Sequence, residues 1–258
     1  MDLELHGKSV FVAGSSRGIG RTIAEAFLAE GAKVAISGRD PGTLRETGNQ
    51  IRAARPQAGV LTVPGDLTDD AHCAAAVDAV TNEWGALDIL VANVGTGRGR
   101  PGPQYDAAEW ASLYDMNLFG AVRIVSHALP AMVERKSASV VLVSSITGLE
   151  ATPAPLAYSS AKAALLNYAK NLARQVASQG VRVNAIAPGN ILFPGGTWEK
   201  HMANEPARVE SYIHAEVPMN RFGTPAEIAD AVLFLSSARA SFVTGACLVA
   251  DGGQTRSL

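Results

Sequence analysis

Residues 14–20 read Gly14-Ser15-Ser16-Arg17-Gly18-Ile19-Gly20, directly after the apolar run Ser9–Ala13 (SVFVA) and directly before a helical pattern. Glycines at such a junction let the backbone turn sharply, let an anion approach the main chain and let the helix lie close on the strand. A phosphate held there meets the free N–H groups and the positive dipole end of the helix. A glycine trio alone is a weak signal, but one set between a strand and a helix at the start of a βαβ unit is much stronger. The placement predicts a dinucleotide-binding fold.

The same residues also spell Gly14-x-Ser16-x-Gly18, the nucleophile elbow of serine hydrolases. An elbow needs an acid and then a histidine later in the chain. His6, His72, His127, His201 and His214 include no obvious triad partner, and the last two fall in a stretch with the look of a lid. Gly20 has no use in an elbow and a clear one in cofactor packing.

Outward from this loop, short apolar runs recur with helical patterns between them. Lys33–Ser37, Val60–Val63, Ile89–Asn93, Ser139–Ser144, Val181–Ile186 and Cys247–Ala250 read as further strands. Most are continuously apolar rather than alternating, as parallel strands covered by helices on both faces must be. Ile19, Ile23, Phe27 and Leu28 share one face of the first helix, and Gly31 follows as a stop signal. Thr224-Pro225-x-Glu227 opens the last long helix with an N-cap, a proline at the first helical position and an acid in the first turn. The expectation is an α/β fold: a doubly wound parallel sheet of Rossmann type, about seven strands, helices on both faces. No repeat or linker divides it, so residues 1–258 are read as one domain.

The bulk numbers agree with this and narrow the function. Hydrophobic residues make up 47% and charged residues 18% of 258, which suits a folded globular chain. A net charge of −2 with no basic run provides no attraction to nucleic acid or anionic lipid. Cys73 and Cys247 lack metal or redox spacing and are read as buried and reduced, with no metal expected. The start Met1-Asp2-Leu3-Glu4-Leu5 is unlike a signal peptide, and no apolar stretch is read as long enough to cross a bilayer, so the expected location is cytoplasmic.

An NAD site usually carries an acid at the end of its second strand. Here that strand ends Ile36-Ser37-Gly38-Arg39, with glycine in the acid's place and a cation after it. Arg39 and Arg17 are both suited to a 2′-phosphate, because a planar guanidinium matches phosphate oxygens. NADP(H) is therefore favoured over NAD(H), with Asp40, one residue on, keeping the NAD reading open.

Tyr158 and Lys162 lie four apart at the start of a long helical pattern, hence on one face and one turn apart. A free phenol titrates near 10, so proton exchange at neutrality needs help such as a neighbouring ammonium. Alone the pair is commonplace. Ser145 at the end of the fifth strand, Asn93 at the end of the fourth, and Asn117, a poor helix former inside a helical pattern, make it less so.

Taken together these motifs resemble the short-chain dehydrogenase/reductase family, single-domain type, over about Gly7 to Gly253. The loop stands for the family's Thr-Gly-x-x-x-Gly-x-Gly with Ala13 in place of Thr, and Ala92-Asn93-Val94-Gly95 for its Asn-Asn-Ala-Gly. Gly65-Asp66-Leu67-Thr68, Asn184-Ala185-Ile186-Ala187-Pro188-Gly189 and Asp251-Gly252-Gly253 match further signatures. The resemblance implies catalytic roles for Asn117, Ser145, Tyr158 and Lys162. It implies cofactor contacts from Gly14, Ser16, Arg17, Gly18, Ile19, Gly20, Arg39, Asp66, Leu67, Asn93, Gly95, Tyr158, Lys162, Pro188, Gly189 and Ile191. In that scheme hydride moves between the nicotinamide and a carbonyl or alcohol carbon, Tyr158 moves the proton, Ser145 bonds the substrate oxygen, and Lys162 holds the ribose and lowers the tyrosine pKa. Asn117 would support a water linking Lys162 to solvent.

Two departures stand out. Ala13 lacks a hydroxyl that ties segments together, and Ile191-Leu192-Phe193 replaces the usual Ile-x-Thr, removing a hydroxyl from the nicotinamide end. Residues 190–219 are expected to form a lid with Gly195 and Gly196 as hinges. Its Phe193, Trp198, Met202, Tyr212 and Met219 serve either a substrate or the lid's own packing. Among relatives the general look is that of 3-oxoacyl-carrier-protein reductases, with polyol, sugar, hydroxysteroid and xenobiotic ketone substrates open. An NAD-preferring hydroxysteroid or polyol dehydrogenase and a catalytically idle NADP(H) sensor are the alternatives. The family resemblance also implies a homotetramer built through helices around Trp110–Val133 and Tyr158–Ser178 and the chain end from Phe242.

Overall fold

The structure, a computed structural model, describes residues 2–97, 99–100 and 102–257. The apolar runs become β1 (Ser9–Ala13), β2 (Lys33–Gly38), β3 (Val60–Pro64), β4 (Ile89–Ala92), β5 (Ala138–Val143), β6 (Val181–Pro188) and β7 (Cys247–Ala250). They form one sheet in the order β3-β2-β1-β4-β5-β6-β7, with every neighbouring pair parallel. The chain runs outward from β1 to β3, then returns to place β4 on β1's other side. That reversal opens a crevice beyond the carboxyl ends of β1 and β4, where open α/β sheets hold ligands.

The helices are α1 (Gly18–Ala29), α2 (Pro41–Ala54), α3 (Asp70–Trp84), α4 (Ala107–Tyr114), α5 (Gly120–Arg135), α6 (Leu156–Val176), α7 (Thr197–Asn204), α8 (Pro206–Glu216) and α9 (Pro225–Ser236). Alternate strand residues point to opposite faces. Phe11, Leu90, Val140 and Leu142 pack on one side with Val80, Ile124 and Leu165 of α3, α5 and α6. Val10, Val12, Ile36, Val91 and Val141 pack on the other with Phe27, Leu44 and Val232 of α1, α2 and α9. The continuous apolar runs are thus explained by two cores, one on each face.

Three expectations need correction. The single helix expected around Trp110–Val133 is α4 and α5 joined by a wide π turn over Asp115–Phe119. Cys73 is buried, but Cys247 is exposed, because it opens β7, the edge strand of the sheet. The continuous helical run Ala107–Arg135 is long and apolar enough by composition to cross a membrane. Its buried residues Ala121, Ile124, Val125, Ala128 and Met132 belong to the sheet core, which accounts for that apolarity.

Candidate active site

The carboxyl ends of the strands bring most of the singled-out residues to one edge of the sheet. The glycine loop follows β1, Arg39 follows β2, Asp66 β3, Asn93 and Gly95 β4, Ser145 β5, and Gly189 and Ile191 β6.

The loop after β1 is held by hydroxyls and one amide. Ser15 donates its hydroxyl to the Val12 carbonyl and accepts the Ser37 N–H, while Ser37 Oγ accepts the Gly14 N–H at 3.0 Å. Asn93 Nδ2 donates to the Gly14 carbonyl at 2.8 Å, and Thr47 Oγ1 to the Ser16 carbonyl at 2.8 Å. Ser15 and Ser37 therefore tie the loop to β2 in a chain that has Ala13 where a hydroxyl was expected. Sequence reading passed over both serines, although a hydroxyl on each side of the loop was the available signal.

Space at the loop is set by glycine. A Cβ on Gly20 would stand 2.3 Å from the Gly14 carbonyl oxygen and 2.4 Å from Asn93 Nδ2. Residue Arg17 is the N-cap of α1, yet no side chain caps that helix. By contrast Asp40, Asp69, Asp106 and Thr224 cap α2, α3, α4 and α9 with their own oxygens. An uncapped N-terminus faced by glycines leaves N–H groups for an anionic group, so the residues present fit a dinucleotide phosphate.

At the end of β2 a Cβ on Gly38 would lie 2.8 Å from Ser16 Cβ, leaving no room for an acid there. Asp40 is already engaged: its carboxylate accepts the Thr43 N–H at 2.6 Å, and its pKa is lowered by the Thr43 side chain first and by that N–H second. Arg39 and Arg17 are exposed, and their guanidinium groups make no hydrogen bond or ion pair among the described residues. Asp66 Oδ1 accepts from Thr68 N–H and hydroxyl at 3.0 and 2.9 Å, which fixes the turn after β3. Leu67 is buried behind it.

Ser145 caps a short turn after β5 and accepts the Thr147 N–H at 3.2 Å. The Ser145 side chain lies beside the Tyr158 hydroxyl, near enough to pull the phenol pKa down. Burial pushes the Tyr158 phenol above its ordinary value, and Ser145 opposes this only in part. Lys162 is 4% exposed, and burial pulls its ammonium down to about 8. Its Nζ donates to the Val143 carbonyl at 2.9 Å and stands 5.9 Å from the centre of the Tyr158 ring. The sequence expectation had Lys162 lowering the tyrosine pKa. In the structure burial raises the phenol instead, and Ser145 is the group that opposes it.

Asn117 is fully buried in the π turn. The wide turn interrupts the regular ladder, and Asn117 Nδ2 donates to the Leu113 carbonyl at 2.9 Å while Oδ1 accepts the Thr96 N–H at 2.8 Å. Gly95 permits this approach: a Cβ there would lie 2.6 Å from Asn117 Oδ1 and 3.2 Å from Lys162 Nζ. Ser144 Oγ donates to the Lys162 carbonyl at 2.9 Å and seats α6 on β5.

Beyond β6, Gly189 lies against Asp251, and Ile191 forms a bridge with Gly223. The Phe193 ring rests on the glycine loop: a Cβ on Gly18 would be 2.6 Å from it. Trp198 stacks on Tyr212 at 5.4 Å and tilts onto Phe222 at 5.3 Å, over Val209, Ile213 and Val217. Trp198, Met202 and Tyr212 thus pack within the lid segment itself, whereas Met219 is 64% exposed. Among the described residues no histidine hydrogen-bonds Ser16; His127 meets Asp70 and His214 meets Asn220. The elbow reading has no base to support it.

Residues 13–255 match the family model described as enoyl-(acyl carrier protein) reductase. Over 258 residues the chain is 35% identical to 2-(S)-hydroxypropyl-CoM dehydrogenase 3 of Xanthobacter autotrophicus, covering 99% of each. It is 34% identical to a 3-oxoacyl-[acyl-carrier-protein] reductase of Vibrio cholerae, covering 97% of this chain and 98% of the relative. The crystal structure of L-sorbose reductase from Gluconobacter frateurii, complexed with NADPH and L-sorbose, superimposes with a TM-score of 0.91 at 31% identity, covering 100% of both chains.

Proposed function

The chain belongs to the short-chain dehydrogenase/reductase family of oxidoreductases, and on that premise we propose that it interconverts an alcohol and a ketone or aldehyde with NADP(H), using Tyr158 as acid and base. The observation that carries the proposal is Ser145, at the carboxyl end of β5, set beside Tyr158, with buried Lys162 one helical turn on and its Nζ 5.9 Å from the Tyr158 ring.

The nicotinamide, when bound, supplies or accepts the hydride. Gly14, Ser16, Gly18, Ile19 and Gly20 would hold the pyrophosphate of the dinucleotide, Asp66 and Leu67 its adenine, Asn93 and Gly95 the stretch between, and Pro188, Gly189 and Ile191 its nicotinamide end. Tyr158 gives its proton to the substrate oxygen during reduction and takes one back during oxidation. Ser145 donates a second hydrogen bond to the same oxygen, so both donors are aimed at charge that develops in the transition state. Lys162 holds the ribose and resupplies Tyr158 with protons, and Asn117 keeps the π turn and the Gly95 loop in place around it. Residues 190–219 act as the lid, closing through Phe193 over the phosphate loop. A catalytically idle sensor would have no use for the Tyr158–Ser145 contact. The test is a screen of ketones, aldehydes and enoyl thioesters for NADPH and NADH oxidation; absence of turnover on every carbonyl overturns the reading.

The choice of NADP(H) rests on Asp40 being occupied as a helix cap while Arg39 and Arg17 stand exposed, and the sorbose reductase similar to this chain was crystallised with NADPH. Arg39→Asp is expected to weaken NADPH binding by about tenfold or more and to improve NADH use, since one charge-assisted contact is worth about 1.5–3 kcal/mol. Cofactor affinities measured by fluorescence check this. A wild-type protein that already prefers NADH refutes the choice.

The assembly proposed is a homotetramer. Phe242 is fully exposed, and Leu248 and Val249 on edge strand β7 and Phe119 beside α5 are also exposed, leaving apolar surface at the chain end and the paired helices. Light scattering is expected to return a tetramer of 26.8 kDa chains. An active monomer at micromolar concentration is the contrary outcome.

A further inference from the structure

Gln254 is a polar side chain buried to 9% exposure, and both ends of its amide are used. Its Oε1 accepts from Asn190 Nδ2 at 2.8 Å, and its Nε2 donates to the Tyr212 hydroxyl at 3.0 Å. Asn190 sits between Gly189 and Ile191, in the loop assigned above to the nicotinamide end. Tyr212 lies on α8 and stacks on Trp198 of α7, so it belongs to the packed body of the lid. One amide therefore joins the loop after β6 to the lid.

The chain around Gln254 is built to keep it there. Gly252 and Gly253 both adopt positive φ, 70° and 86°, a pair that side-chain-bearing residues rarely adopt and that turns the chain back toward the lid. The Asp251 carboxylate closes the turn by accepting the Gly253 and Thr255 N–H groups at 2.9 and 2.7 Å. The Gly252 carbonyl accepts the Met219 N–H at 3.1 Å. Further along, the Arg256 and Ser257 N–H groups both donate to Glu150 Oε1, and Arg256 pairs with Glu216 of α8 at 3.4 Å. The tail is thus stretched, within one chain, from the lid to the segment that follows Ser145.

We propose that Gln254 is a positioning residue: through Asn190 and Tyr212 it makes the seating of the lid and the placement of the 188–191 loop a single event. The inference rests on the cofactor reading for its consequence in turnover, but the tie itself stands on the hydrogen bonds. Removing the amide leaves two partly buried polar groups without a partner, so both segments loosen together.

The experiment compares wild type with Gln254→Leu, Gln254→Glu, Tyr212→Phe and the double variant Tyr212→Phe/Gln254→Leu. In the cofactor-free protein, amide hydrogen exchange in Gln254→Leu is expected to quicken about tenfold at α8 and at residues 189–192 alike, the size of one net hydrogen bond. In turnover its KM for NADPH rises about tenfold by the same bond, while kcat changes by less than about threefold. Gln254→Glu restores both measures, because a carboxylate still accepts from Asn190 and takes the Tyr212 hydroxyl as a donor. Tyr212→Phe reproduces the exchange effect at α8 and at residues 189–192 alike, and the double variant is no worse than Gln254→Leu alone. Should Gln254→Leu fail to fold, Tyr212→Phe and Gln254→Glu still decide the matter. Exchange that quickens in only one segment, single effects that multiply in the double variant, or an unmoved KM overturns the proposal. A wild-type protein that turns over no substrate defeats the functional reading instead, and the exchange comparison then decides the tie by itself.

Discussion

Replacing Tyr158 by phenylalanine is expected to lower kcat by about 10²–10⁴ or more, the range that positioned acid–base groups supply. The ring and its packing on α6 are retained, and Ser145 keeps the Thr147 N–H as a partner, so the fold and the cofactor affinity should change little. The loss therefore belongs to the proton and not to the scaffold. Because burial holds the phenol above its ordinary value, it is the acid form that stands ready at neutral pH. Carbonyl reduction, which consumes that proton, should be nearly flat in pH below the phenol's titration. Alcohol oxidation, which needs the base form, should rise as pH rises. Cofactor affinity by fluorescence and single-turnover rates in both directions make the check. A Tyr158→Phe enzyme within a few-fold of wild type on a verified substrate removes Tyr158 from the chemistry.

The second expected result is that Lys162→Met destroys turnover while making the protein more stable at neutral pH. A lysine titrating at about 8 in the fold and at its ordinary 10.5 when unfolded carries a buried charge that the fold resists. Below pH 8 both states hold the proton, and the full penalty is present. Between 8 and 10.5 the unfolded chain binds the extra proton, so stability rises with pH and the penalty fades. That penalty is about 3 kcal/mol near pH 7, against which the lost hydrogen bond to the Val143 carbonyl sets about 1 kcal/mol. The variant should therefore melt a few degrees higher at pH 7, with the advantage lost by pH 10.5. Melting curves of both proteins across this range test it. A variant that is less stable at pH 7, by a margin that does not vary with pH, shows that the ammonium is not under desolvation stress. The expected trade is that of a site held ready for a partner at some cost to the resting fold.

Much of this molecule is written locally. Seven apolar runs separated by helical periods leave few arrangements other than a parallel sheet with crossovers on both faces, because each run must bury two sides and each crossover must return to the same end. The glycine loop and the Tyr158–Lys162 spacing follow from the geometry of a turn and of one helical turn, which neighbours in the chain determine by themselves. What only the tertiary structure decided involves residues that meet from far apart. The sheet order placed β7 at an edge and so exposed Cys247, which no local pattern encodes. Asn117 reads as a poor helix former, but its place in a π turn and the Thr96 N–H that meets its side chain from another segment are tertiary facts. Asp40 reads locally as a free carboxylate after β2, and the fold sets it on the Thr43 N–H at the start of α2. Phe193 met Gly18, and Gln254 met both Asn190 and Tyr212, across separations that helical or strand periodicity cannot span. Periodicity reports which face of an element is apolar; which element it then meets is settled by packing the whole chain around two cores.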